Sequence, residues 1–410
     1  MNETTLQVDC CISGGGPAGM MLGLLLARAG CSVAVLEKHG DFLRDFRGDT
    51  IHPSTLELMR ELGVLEKFLA LPHQKTEKLV AQVGDEFITI ADFTHLPVAC
   101  RYIAFMPQWD FLNFLAAEAK RYPGFQLHMR AKAVDILRNG EAVTGMRAET
   151  PDGALTVHCK LAVGADGRTS KIRAKAGLTP TVLGAPMDVL WFALPRRDGD
   201  PAQSMGRIDV GRFFVLIDRG AHWQCGFVIA KGSAEDDRKG GLPAFRRAVA
   251  ELTPFLADRV DSIESWDQVK LLTVGVDRLE QWYLPGLLCI GDAAHTMSPV
   301  GGVGINLAIQ DAVAAANILA RPLLDGSLNV EHLRQVQRRR LPPVRLVQRM
   351  QVAVQNGLIG TVLQSRQRPR IPAWLRLLLR VPGINRVPAR LIGLGLRREH
   401  IRSGTTAPTV

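Results

Sequence analysis

A glycine loop near the N-terminus, Ser13-Gly14-Gly15-Gly16-Pro17-Ala18-Gly19, constrains this chain more than any other stretch. It carries Gly14-x-Gly16-x-x-Gly19 directly after an apolar run, Val8-Asp9-Cys10-Cys11-Ile12. An apolar segment over residues 20–30 follows, which Gly30 can close from a left-handed conformation. A second apolar run, Val33-Ala34-Val35-Leu36, ends at Glu37. Strand, glycine turn, helix, strand and terminal acid together form a dinucleotide-binding fingerprint. In such a unit Gly14 permits the tight turn, Gly16 lets backbone approach a pyrophosphate, and Gly19 lets helix pack closely on strand. The N–H groups opening the helix then face the anion, and Glu37 is placed to accept hydrogen bonds from a ribose diol.

The chain has 410 residues, more than one ordinary core holds, so two domains or one α/β unit with an insertion is expected. No uninterrupted apolar run reaches the ~18 residues of a membrane span. No basic segment followed by a hydrophobic one opens the sequence, so no signal peptide is expected. The seven cysteines form no CxxC, and Cys10, Cys11 and Cys289 lie inside apolar strands. They read as small core residues in a reducing compartment, without disulfides or metal. The net charge of +10 is concentrated near the C-terminus, where residues 366–402 hold ten arginines and one acid, Glu399. The rest is almost neutral and lacks a basic face with aromatic or helical readers, which argues against nucleic acid.

Along the chain, Ser54-x-x-Glu57 fits a capping box opening a helix that Gly63 stops. Residues 76–96 suggest strands, and Pro107-Gln108-Trp109-Asp110 opens an amphipathic helix. Strands around 131–137 and 143–150 turn at Asn139-Gly140. An apolar strand over 155–163 then delivers Gly164-Ala165-Asp166-Gly167. From 181 to 275 the texture becomes aromatic and β-rich, predicting a separate antiparallel sheet. Leu287-Leu288-Cys289-Ile290 then delivers Gly291-Asp292-Ala293-Ala294-His295, Pro299, a second glycine loop Gly301-Gly302-Val303-Gly304-Ile305-Asn306, and a long helix.

These three separated motifs resemble those of the FAD-dependent group A aromatic hydroxylases, typified by para-hydroxybenzoate hydroxylase, over about residues 5–345. The resemblance implies an α/β fold: a discontinuous Rossmann-like FAD-binding domain, an inserted antiparallel β-sheet substrate domain, and a C-terminal helical tail. The expected boundaries are 1–75, 97–180 and 276–345 for FAD, 76–96 and 181–275 for substrate, and 346–410 for the basic tail. By the same resemblance Gly14, Gly16, Pro17, Ala18, Gly19 and Glu37, with Lys38, hold the ADP half of FAD. Arg47 lies near the cofactor, Gln108 reaches its backbone, and the strand of Val134 touches adenine. Asp166 belongs to a motif tied to FAD and pyridine nucleotide. Asp292 binds the ribitol chain, and Gly302, Val303, Gly304, Ile305 and Asn306 lie beneath the flavin ring. A helix N-terminus there would favour the negative charge of a reduced flavin. The sequence departs from the pattern at Val303, where many members carry glutamine, and at Met297-Ser298, where many have prolines.

The implied activity is hydroxylation of an aromatic, quinone-like or other lipophilic small molecule. NAD(P)H reduces FAD, O2 is captured as a flavin C4a-hydroperoxide, and Pro299 and Gly302 surround it. His52, Phe192, Phe213 and Phe227 are the candidate substrate residues, with most of the aromatics as sheet core; helix capping is the lesser reading of Asp166 and Asp292, since both sit in recognised motifs. His295 reads as a hydrogen-bonded packing residue. The alternatives are a reductase of the geranylgeranyl-reductase type, acting without oxygen insertion, and a non-catalytic escort protein. A disulfide reductase would carry a second fingerprint, and a flavin halogenase a Trp-x-Trp; neither occurs. The Arg-rich tail reads as folded on the body or a homodimer partner, with peripheral attachment to the inner face of a membrane as the other reading. The expected location is the cytoplasm.

Overall fold

The computed structural model describes residues 2–43, 50–201, 204–365, 367, 371, 373–379 and 381–405. Its centre is a parallel array in the order Leu287–Cys289, Gly153–Gly164, Asn2–Ser13, Val33–Glu37, Phe125–Met129. Strands in such an array are covered on both faces, which explains their nearly continuous apolar sequences. Val33–Glu37 is wholly buried. The first strand runs further than its apolar run because its N-terminal half pairs with Gly153–Val157. The helices Pro17–Arg28 and Gly304–Asp325 pack on one face of the array and on each other.

Gly30 adopts φ 99° just after the first helix, as the turn requires. The helix Pro53–Glu61 starts two residues earlier than a Ser54 cap allows: His52 is its N-cap and makes no side-chain cap bond. Pro53 occupies the first helical position, where its missing N–H has no cost. Ser54 is therefore inside the helix, and Glu57 pairs with Arg60 instead.

A second sheet of seven strands has the order Lys270–Leu272, Met187–Pro195, His222–Ala230, Arg212–Asp218, Met205–Asp209, Lys78–Val83, Glu86–Asp92. It brings residues 78–92 beside the 187–272 region, and one of its pairings, Met205–Ile208 with Val80–Val83, is parallel. A small sheet of Thr50–Ile51, Ile103–Phe105 and Gln74–Thr76 lies apart from both large ones.

The boundary expected at 345 falls within one continuous helix, Val330–Val354, so the tail has no break there. The end of the chain folds back on the body. Ala389 and Leu394 are buried with Phe93, Leu96 and Phe105, and a Cβ on Gly393 would come 2.8 Å from Leu96. Arg376 pairs with Glu86 at 2.6 Å. Val300–Asp325 is long and apolar enough to cross a membrane, yet it is mostly buried inside the protein.

Candidate functional site

A cavity of about 560 Å³ runs between the parallel array and the seven-stranded sheet, within the ~300–1,000 Å³ usual for ligand pockets. At one end lie Gly14, Gly15, Gly16, Pro17, Ala18, Glu37 and Lys38. Asp166, beside Gly14, lines it too, with Gln108 and Asp292, and Met297, Ser298, Pro299, Gly302, Gly304 and Ile305 line the other end. Two stretches far apart in sequence thus open on one crevice, because the strands that deliver them are close in the same array.

The glycine loop divides into packing and contact positions. A Cβ on Gly14 (φ +106°) would collide with the Ala165 carbonyl, and one on Gly19 with the Gly14 carbonyl. Gly19 does not line the cavity; it sets the distance between helix and strand. A Cβ on Gly16 would meet nothing within 4 Å. That space faces the start of the helix Pro17–Arg28, which has no side-chain cap, so its free N–H groups can receive an anion. Glu37 Oε2 accepts from Gly15 N–H at 2.9 Å and Oε1 from His39 N–H at 3.0 Å, which fixes the carboxylate beside the loop.

Asp166 does cap a helix: it accepts from Lys171 N–H at 2.7 Å and from Ser170 Oγ at 2.5 Å while bordering the cavity. At the far end, Gly302 (φ +61°) turns its carbonyl to Thr50 Oγ1 at 2.9 Å. The helix Gly304–Asp325 begins there without a side-chain cap, so its positive end opens on the cavity.

Several expected residues stand elsewhere. Val134 is off the cavity, and Ala131, Lys132 and Ala133 line it in its place. Val303 faces a separate small cleft toward the C-terminal segment. Asn306 is buried as a brace: its Oδ1 accepts from His52 N–H at 3.0 Å and Thr55 Oγ1 at 2.8 Å, and its Nδ2 donates to the Thr50 carbonyl at 3.1 Å. His52 is fully buried, with Nδ1 donating to the Ile392 carbonyl at 2.7 Å, and burial lowers its pKa to about 4. Phe192 and Phe227 are turned away from the cavity into the core under the helix Leu242–Leu252. Phe213 is on the cavity side of the sheet but packs with Val189, Trp191 and Val228 without lining the space. Side chains alternate along a strand, so the neighbours Trp191, Ile217, Gln224 and Leu272 form the wall instead. Arg47 lies outside the described residues.

His295 donates no metal site; it meets Asp311 at 2.6 Å, and no group of three or more His, Cys, Asp or Glu among the described residues could hold a metal. The sequence reading also missed a glutamine ladder. Gln348 Nε2 donates to the Thr296 carbonyl at 3.1 Å, and Gln351 Nε2 to the Ser298 and Val300 carbonyls at 3.0 and 2.9 Å. Gln355 Nε2 reaches Ser298 Oγ. Their helical spacing, with three neutral amides on one face, is the signal that could have found them.

The arrangement fits FAD. A bare helix start with room for phosphate, an acid fixed beside it, and a second helix start at the far end suit an elongated anionic cofactor. Comparison with known proteins agrees. The family described as FAD binding domain matches residues 7–350. The 6-methylpretetramide 4-monooxygenase of Streptomyces rimosus is 30% identical over 388 residues, 92% of each chain. The Bacillus subtilis aromatic compound monooxygenase YhjG is 28% identical over 330 residues, covering 75% of this chain and 60% of its own. Among solved structures, the anhydrotetracycline hydroxylase OxyS of Streptomyces rimosus superposes with a TM-score of 0.76 at 23% identity, over 96% of this chain and 77% of its own. That last likeness is one of fold.

Proposed function

Because this chain belongs to the FAD-binding monooxygenase family, we propose that it uses NAD(P)H and O2 to hydroxylate an oxygenated polycyclic aromatic or quinone-like small molecule. It is a FAD-dependent monooxygenase of aromatic substrates. The observation that carries the reading is the single cavity shared by the Gly14–Ala18 loop, Asp292 and the Gly302–Ile305 turn. Bound flavin supplies the electron and oxygen transfer, chemistry that no side chain here can perform.

The chain's own residues bind, orient and exclude water. The N–H groups after Gly16 would hold the pyrophosphate, Glu37 the adenosine ribose, and Asp292 the ribitol hydroxyls. The uncapped start of the helix Gly304–Asp325 would favour negative charge on a flavin bound there. Met297, Pro299, Trp191, Ile217, Leu272 and Val274 give the reaction end an apolar lining, which keeps water from the oxygen being transferred. The tail turns Ala389, Gly393 and Leu394 inward and leaves Leu377, Val381 and Val387 exposed.

The test is direct. Purified protein should carry FAD, an aromatic ketone or phenol should accelerate its NAD(P)H oxidation, and product oxygen should come from 18O2. Unlabelled product, or turnover that persists without oxygen, would replace hydroxylation by the reductase alternative.

A further inference from the structure

We propose that Gln224 and Arg219 form the polar end of the substrate pocket and select a ring system bearing a keto, enolate or phenolate oxygen. This rests on the monooxygenase reading above. The seven-stranded sheet gives the cavity four side chains, Trp191, Ile217, Gln224 and Leu272; Gln224 carries the only amide, and the buried indole N–H of Trp191 is the other donor. It stands directly opposite Ile217 in the antiparallel pair of Arg212–Asp218 with His222–Ala230. One strand position further along the same face, the Trp191 ring lies across Gly226, where a Cβ would come 3.0 Å from it. The result is a flat apolar wall with a single amide in it.

Which way that amide points follows from its partner. Arg219 Nε and Nη2 donate to Gln224 Oε1 at 2.8 and 2.7 Å. A guanidinium has donors only, so the oxygen of Gln224 must face Arg219 and the amide nitrogen must face away. That nitrogen has no protein partner among the described residues, on a side chain that is only 4% exposed and borders the cavity. A nearly buried donor with no acceptor calls for one from the ligand. The positive charge behind it polarises the amide and favours negative charge on the oxygen it meets.

This donor is tied to the reaction end. The Arg219 guanidinium lies 5.7 Å from the centre of the Phe105 ring. Phe105 pairs with Thr50, and Thr50 Oγ1 donates to the Gly302 carbonyl. An aromatic molecule lying on Trp191 with its oxygen on Gln224 would therefore extend toward the Gly302 and Pro299 side of the cavity. Gln224 is in this view a substrate-binding residue and Arg219 its positioning residue.

The experiment is equilibrium dialysis of the FAD-loaded full chain with 1-tetralone and with 1,2,3,4-tetrahydronaphthalene, which share a skeleton and differ by the carbonyl. The wild-type protein should prefer the ketone. Gln224→Glu keeps the size and the pairing with Arg219 but offers only acceptors, so the preference should fall by about ten-fold or more while hydrocarbon binding stays within about two-fold. Gln224→Met should give the same loss, and Arg219→Met should lower the preference where Arg219→Lys restores it. A wild-type protein without preference, or a preference unchanged in Gln224→Glu, would overturn the assignment. A wild-type protein that retains no FAD would instead overturn the monooxygenase reading itself.

Discussion

His295 Nε2 and Asp311 Oδ2 stand 2.6 Å apart, with both side chains sealed from solvent. The same carboxylate accepts from Gly291 N–H at 3.1 Å and from Arg340 Nε at 2.9 Å. Arg340 continues to the Arg397 carbonyl and to Glu399, which also meets Arg339 at 2.8 Å. Burial by itself would raise the pKa of Asp311; His295 and Arg340 outweigh it and hold the carboxyl below its ordinary range. The strand end that carries Asp292 is thereby fastened to the C-terminal segment through one buried network.

Removing the centre of that network strands a buried charge. Asp311→Leu should cost about 3–5 kcal/mol of stability, because Arg340 loses one of its two buried carboxylates and His295 and Gly291 N–H lose theirs. Urea unfolding of variant and wild type measures the difference. Asp311→Leu combined with Arg340→Leu should be less damaging than the sum of the two.

The two kinds of glycine in the first loop should separate cleanly. Gly14→Ala forces a Cβ into the Ala165 carbonyl at a positive φ, so the protein should accumulate poorly. Gly16→Ala has open space and should fold with nearly unchanged circular dichroism, yet retain at least about ten-fold less FAD because the methyl occupies the pyrophosphate position. The absorbance ratio at flavin and protein wavelengths reports it.

Gln351 holds both flanks of Pro299, through the Ser298 and Val300 carbonyls and the Ser298 N–H at 3.1 Å. Gln351→Leu leaves these groups unpaired and loosens the loop at the reaction end. Water should then reach the site, and peroxide released per NAD(P)H consumed should rise several-fold while FAD content holds. A coupled peroxidase assay reads this.

His52 has its own pH signature. Its pKa falls from 6.5 to about 4 because burial penalises the imidazolium, with partial compensation from Ile392. The unfolded chain therefore binds the additional proton as pH falls from about 6.5 to about 4. The stability from neutral His52 is complete above that window and lost as pH drops through it, by at most about 1.4 kcal/mol per unit. His52→Asn, whose amide can reach the same carbonyl, should flatten this portion of the curve in urea midpoints.

The residues of the first loop were legible because their constraints are local. Turn, helix start and strand end lie within one βαβ unit, so glycine spacing and apolar runs suffice to place Gly14, Gly16 and Glu37. The substrate wall was not. Val189-Leu190-Trp191-Phe192-Ala193-Leu194 is apolar on both faces, so no alternation tells which side meets the helix Leu242–Leu252 and which the cavity. Choosing Phe192 and Phe227 took the wrong face, and Gln224 carried no signal because its partner sits in the turn beyond the neighbouring strand. Val134 lies one position beyond the stretch Ala131–Ala133 that borders the cavity.

By itself the sequence determined the first βαβ unit with its glycine turn and bare helix start, since backbone geometry and helix electrostatics are properties of short contiguous stretches. Only the tertiary structure decided which side chains face the pocket, that Asn306 and His52 are braces, and that the arginine-rich end is tied down through Glu399. Those outcomes depend on which surfaces pack together, and packing joins residues hundreds of positions apart that no local pattern relates.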